Sequence, residues 1–111
     1  MNFADSVKTC FSKYIDFSGR AKRPEYWWFV LFCILVSLVL GMISEVVSGL
    51  FSLATLLPSL AVGARRLHDT NRSGWWQLIG IIPLIGWIVL IVFFAQEGES
   101  TDNQYGSVPA E

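Results

Sequence analysis

Residues 64–76, ARRLHDTNRSGWW, gather the most varied chemistry of the chain: Arg65, Arg66 and Arg72, the single histidine His68, Asp69, and a Ser73-Gly74 turn running into Trp75 and Trp76. Guanidinium groups grip phosphate or carboxylate with a planar fork of donors, and an imidazole can pass a proton or sense pH near neutrality. Catalysis needs more than that. His68 and Asp69 are sequence neighbours rather than partners assembled by a fold, and no HExxH, GxSxG or phosphate-loop pattern occurs. One histidine and two distant cysteines, Cys10 and Cys33, give no metal-ligand spacing, so neither an enzyme nor a metal or other cofactor is expected, and both cysteines read as free packing thiols. Anion binding is within reach. Ser73 and Gly74 lead into a helix start, where free backbone N–H groups favour negative charge, and Arg72 adds a formal charge beside Trp75 and Trp76 at headgroup depth. Together with Arg20, Arg23, Arg65, Arg66, His68 and Asp69, these residues form a candidate face for anionic phospholipid or a partner protein, with no role for nucleic acid. The plainer alternative is that the arginines only set membrane topology.

Those residues need a scaffold, and composition indicates its kind. Of 111 residues 53% are hydrophobic, with five tryptophans and eight phenylalanines, too apolar for a soluble domain of this size. An all-α membrane protein is expected, with one membrane domain over residues 1–96 and a polar, acidic, largely unstructured tail over 97–111. The net charge of −1 hides a segregation. Lys8, Lys13, Arg20, Lys22 and Arg23 precede the first apolar run, Arg65, Arg66 and Arg72 lie between the second and third, and the tail has no basic residue.

Phe3, Val7, Cys10 or Phe11, Tyr14 and Phe17 recur at steps of three and four, so residues 1–17 read as an amphipathic helix, either lying in the membrane interface or packed on the membrane helices. After a basic hinge, Pro24 and Glu25 suit a helix start. Three transmembrane helices are expected over 24–43, 46–66 and 75–95; the first, with about 18 apolar residues, can cross a core of roughly 30 Å. Without a signal-peptide cleavage pattern, this first span should remain as an anchor. Pro58 and Pro83 should bend the second and third helices. Glu45 belongs in the far turn, because a charge at mid-bilayer costs about 3 kcal/mol or more. Ser48, Ser52, Thr55, Ser59 and Gly63 share one face of the second helix, which favours close helix packing over a polar solute path. With three spans all eight basic residues fall on one side, which places the N-terminus and the arginine loop in the cytoplasm and the C-terminal tail outside. Glu25 and Asp69 should partly neutralise the arginines there.

Four blocks, FSGRAKRPEYWWF, ARRLHDTNRSGWW, IPLIG and NQYG, together resemble the bacterial inner-membrane family known as domain of unknown function 805, with its YhaH-like members, over nearly the whole chain. The resemblance implies a multi-pass protein of the bacterial inner (plasma) membrane and carries over no substrate or catalytic residue. The residues themselves point to a non-enzymatic module whose basic cytoplasmic face binds anionic lipid headgroups or a partner protein, either another membrane protein or a second copy of itself. The alternative is an oligomeric small-solute transporter or channel subunit, since three short spans cannot enclose a pathway alone.

Overall fold

Proline in the first turn, Glu25 beside it and an unbroken apolar run give a helix α2 over Arg23–Ile43, 21 residues or about 31 Å in length. Ser44 then turns the chain on a single residue. Its N–H bonds the Leu40 carbonyl at 2.8 Å to end α2, and its side chain accepts from the Val47 N–H to cap α3, Glu45–Asp69, 25 residues or about 37 Å. Both helices are long and apolar enough to cross a bilayer. The computed structural model describes residues 2–109; Met1 of the expected first helix and Ala110 and Glu111 of the tail lie outside that range.

Leu38, Val39, Met42, Ile43, Leu50 and Leu53 are all more than half exposed around the Ser44 turn. Hydrocarbon is the solvent that suits such a surface. Burial is concentrated at the opposite end, where every residue of α3 from Ala61 to Leu67 is buried. On the small-residue face, Ser48 donates across to the Ser37 carbonyl at 3.1 Å, buried Thr55 bonds back to the Phe51 carbonyl at 2.9 Å, and Gly63 lies under Gln77; Ser59 is half-buried and Ser52 exposed. Pro58 is buried inside an unbroken α3, and the Ala54 carbonyl that it leaves without a helix donor accepts the Tyr14 hydroxyl instead.

The N-terminal helix α1 covers Phe3–Ser12, shorter than the stripe suggested, and Asn2 caps it by accepting from the Asp5 N–H at 2.8 Å. It packs on protein. Ser6 and Cys10 are fully buried, Phe3 meets Trp28 edge-on at 5.7 Å, and Phe11 meets Phe29 and Phe32 at 5.5 and 5.8 Å. Beyond it, hydrogen bonds from Ser18 hold the Asp16 carboxyl below its usual range and fold the hinge into a turn.

The third apolar segment departs from the expected single helix over 75–95. Gly74–Ile81 is a 3₁₀ helix, the chain breaks at Ile82–Leu84, and α4 spans only Ile85–Ala95. Pro83 therefore marks a reversal rather than a bend. Trp76 meets Phe93, Gly80 meets Leu90, and the Trp87 indole donates to the Gly80 carbonyl at 2.9 Å, contacts whose positions run in opposite directions along the chain. At about 2.0 and 1.5 Å per residue both arms are about 16 Å long, half of a bilayer core. The hairpin thus returns to the end it left. The tail follows it there and bonds Arg20 and Asp69, which corrects the expectation of an unstructured tail leaving from the opposite end.

Candidate functional site

The arginine end is built around α3's last two turns and the way they stop. Asn71 adopts φ 60°, a left-handed conformation that asparagine tolerates, while its N–H bonds the His68 carbonyl and that of Arg72 bonds Leu67, each at 2.9 Å. This closure satisfies the final carbonyls and aims Arg72 away from the helix axis. Ser73 then caps the 3₁₀ helix by accepting from the Trp75 N–H at 3.2 Å. Gly74 is required there, because a Cβ would sit 2.8 Å from the Ala64 Cβ.

Three of the arginines turn inward. Arg65 is fully buried and pairs with Glu25, while its Nε donates to the Asp16 carbonyl at 3.1 Å, tying α3 to the start of α2 and to the hinge. Arg66 is also fully buried; Nε donates to the Phe94 carbonyl at 2.9 Å, Nη2 to that of Gln96, and Nη1 to Asp69 at 3.0 Å. It therefore caps the C-terminus of α4, assisted by Arg23 on the Ala95 carbonyl at 3.4 Å and the Trp27 indole on Phe94 at 3.3 Å. Arg20, 5% exposed, donates to Asp69 at 2.9 Å and to the Glu99, Thr101 and Gly106 carbonyls at 2.7, 2.9 and 3.2 Å. Asp69 thus sits between two guanidiniums, and the tail backbone passes so close over it that a Cβ on Gly98 would lie 1.8 Å from its Oδ2. The expected neutralisation by Glu25 and Asp69 is direct contact. Buried pairs of this kind add little net stability but are costly to break from one side.

Cys10 adjoins this cluster, with its Sγ 3.8 Å from the Glu25 carbonyl oxygen. Burial above all, and the Glu25 charge after it, push the thiol up to about 12, so it stays protonated and unreactive near neutrality. Both cysteines are free.

The remaining candidates form a second group on the outer side. The Arg72 guanidinium lies 4.1 Å from the Phe93 ring centre, and Trp75 and Trp76 are exposed beside it. His68 is half-buried: its Nδ1 lies 2.9 Å from the Gly19 carbonyl oxygen, and its ring stacks flat on Tyr105 at 4.0 Å. The ten candidate residues therefore divide between an internal lock and an outer face. Sequence reasoning missed the tail, where Asn103 donates to the His68 carbonyl at 3.0 Å and Gly106, at φ 132°, closes a tight turn back on Asn103. The NQYG block carried that signal, since an asparagine and a glycine three residues apart mark an ordered turn better than a disordered tail.

The arginine lock lies within the stretch that comparison with known proteins recognises. The family described as "Protein of unknown function (DUF805)" matches residues 14–107. The chain belongs to this DUF805 family. It is 50% identical over 103 residues to Inner membrane protein YhaI of Escherichia coli strain K12, covering 86% of this chain and 87% of that one. It is 40% identical over 107 residues to Inner membrane protein YhaH of the same strain, covering 86% and 88%. Uncharacterized protein YiiR of that strain is 35% identical over 81 residues, 68% of this chain and 53% of its own. No solved structure matches. With inner-membrane relatives and two helices of crossing length, this DUF805 protein is an integral membrane protein.

Proposed function

We propose that the protein is a non-catalytic inner-membrane module that holds an anionic phospholipid on the outer face of its arginine end, with both termini in the cytoplasm. The observation that carries this reading is the state of Arg72. Arg20, Arg65 and Arg66 are buried with their charge committed to internal acceptors, whereas the Arg72 guanidinium lies over Phe93 and makes no side-chain hydrogen bond to a described residue. A guanidinium held by a ring keeps its donors for a phosphate, and the exposed Trp75 and Trp76 set it at headgroup depth. Two crossing helices with a half-depth hairpin bring all eight basic residues and the tail to one side, which the positive-inside rule makes cytoplasmic. A transport pathway has less support, because the hydroxyls of Ser48 and Thr55 are spent on helix carbonyls.

Arg72→Gln should lower retention of an anionic lipid by roughly 10-fold, the scale of one charge-assisted hydrogen-bonded contact, and leave retention of a zwitterionic lipid of equal chain length unchanged. Native mass spectrometry of detergent-purified protein reads this directly. Arg72→Lys should recover part of the loss, since lysine keeps the charge without the fork. Equal retention by all three proteins would reduce Arg72 to a topology charge. For orientation, a single cysteine placed at exposed Ser107 in a cysteine-free background should react only from the cytoplasmic side.

A further inference from the structure

Between the last turns of α3 and the 3₁₀ helix lies a cavity of about 620 Å³, walled by Leu60 and Ala64 on one side, Trp75 and Gln77 on the other, and closed by the His68–Tyr105 stack. Its size falls in the range of small-molecule sites, roughly 300–1,000 Å³. Among the described residues no Lys, Arg, Asp or Glu lines it. Its polar groups are few, the Ser73 and Tyr105 hydroxyls and the His68 ring among them. The Gly19 carbonyl can only accept, so the neutral His68 ring carries its proton on Nδ1 and presents Nε2 as a bare acceptor. That nitrogen has no hydrogen-bond partner among the described residues and stands 3.7 Å from where a Gly74 Cβ would be, on the cavity wall. Gln77 is held against α3, donating its amide to the Leu60 and Gly74 carbonyls at 3.0 and 3.5 Å with its Oε1 turned to Gly63, so the His68 nitrogen is the acceptor on which binding rests.

The geometry points to a binding site for an uncharged, lipid-soluble hydroxyl compound, an alcohol or phenol with an apolar body, whose O–H donates to His68 Nε2. A bare acceptor without a facing cation disfavours a carboxylate or phosphate and complements a donor. An apolar wall opening beside Trp75, which is 78% exposed, lets such a compound enter from the bilayer. This site is separate from the Arg72 face, since Arg72 does not line it.

The test uses the full chain in zwitterionic lipid nanodiscs, titrated by calorimetry against empty discs with 2-naphthol, its methyl ether and 2-naphthoate. The naphthol and its ether share one apolar body, and only the naphthol can donate. The expected result is saturable binding of 2-naphthol at about one site, roughly 10-fold tighter than the ether, with 2-naphthoate weakest. Leu60→Trp, which fills the cavity without touching His68, should abolish saturable binding. His68→Phe should keep a ring against Tyr105 while making naphthol and ether equal, and Arg72→Gln should leave naphthol binding unchanged. Equal affinity of naphthol and ether for the native protein would mean a groove filled by any acyl chain, and would overturn the proposal. Naphthol binding that survives Leu60→Trp would overturn it as well, and both results stand whether or not His68→Phe folds.

Discussion

The α2–α3 hairpin turns on one residue, Ser44, which ends one helix and caps the next, whereas the hairpin of the 3₁₀ helix and α4 turns through Pro83 and a Leu84 held at φ 67°. Both are apolar and antiparallel. The first is long enough to place its turn beyond the hydrocarbon core, where a polar cap and Glu45 meet water. The second places its turn at half depth and is held by its return end, where Arg66, Arg23 and Trp27 take the last carbonyls of α4. Reach is thus set by the length of unbroken helix, and a half-depth element depends on what grips its open end.

The largest effect should come from removing that grip. Arg66→Leu leaves the Gln96 carbonyl without its donor and takes one of two from Asp69 and from the Phe94 carbonyl, at a cost of about 2–5 kcal/mol. Hydrogen exchange should show residues 85–106 opening while α2 and the first half of α3 stay protected; equal loss of protection in both hairpins would erase the distinction. Next comes the close approach of the two short arms. Gly86→Ala puts a Cβ 1.8 Å from the Ile79 carbonyl oxygen, and should destabilise by about 1–3 kcal/mol in thermal unfolding. Gly49→Ala in α3, where nothing lies within 4 Å, should instead be neutral or stabilise by up to about 1 kcal/mol.

A smaller effect concerns how α3 tolerates its proline. Tyr14→Phe removes the hydroxyl on the Ala54 carbonyl and should cost about 1 kcal/mol. In a Pro58→Ala background the restored helix N–H takes that carbonyl, so the same change should cost little; equal costs in both backgrounds would show that the bond carries no weight. The smallest change is at the two turns. Leu84→Gly should raise the unfolding temperature by relieving about 1 kcal/mol of backbone strain, while Ser44→Gly should lower it slightly by losing a cap worth a few tenths of a kcal/mol.

The crossing helices were legible because hydropathy, Pro24, Glu25 and the one-sided charge all agree on them. The third segment misled because Trp75 to Ala95 has the apolar length of a span, and hydropathy does not register whether the backbone is α or 3₁₀; Pro83, expected only to bend the helix, stands in the break between its two arms. That misreading put the tail at the wrong end of the helices. The candidate site suffered in another way: residue types marked Arg20, Arg65, Arg66 and Asp69 as important, but an exposed binder and a buried clasp use the same side chains. What separates them is a partner as much as 86 positions distant, such as Gly106 for Arg20, which no local pattern encodes.

That separation has a consequence for biogenesis. Arg20 leaves the ribosome long before Glu99, Thr101 and Gly106 exist, and in the finished protein its donors go to their carbonyls and to Asp69. Until residues 99–106 are made, the donors that go to them must be met by water or by other groups. Full closure of the arginine end therefore waits on the tail, and a chain cut off before residue 99 should fold its two long helices with the clasp incomplete. Such a nascent protein would offer membrane proteases an accessible N-terminal segment at the stage when quality control can still act.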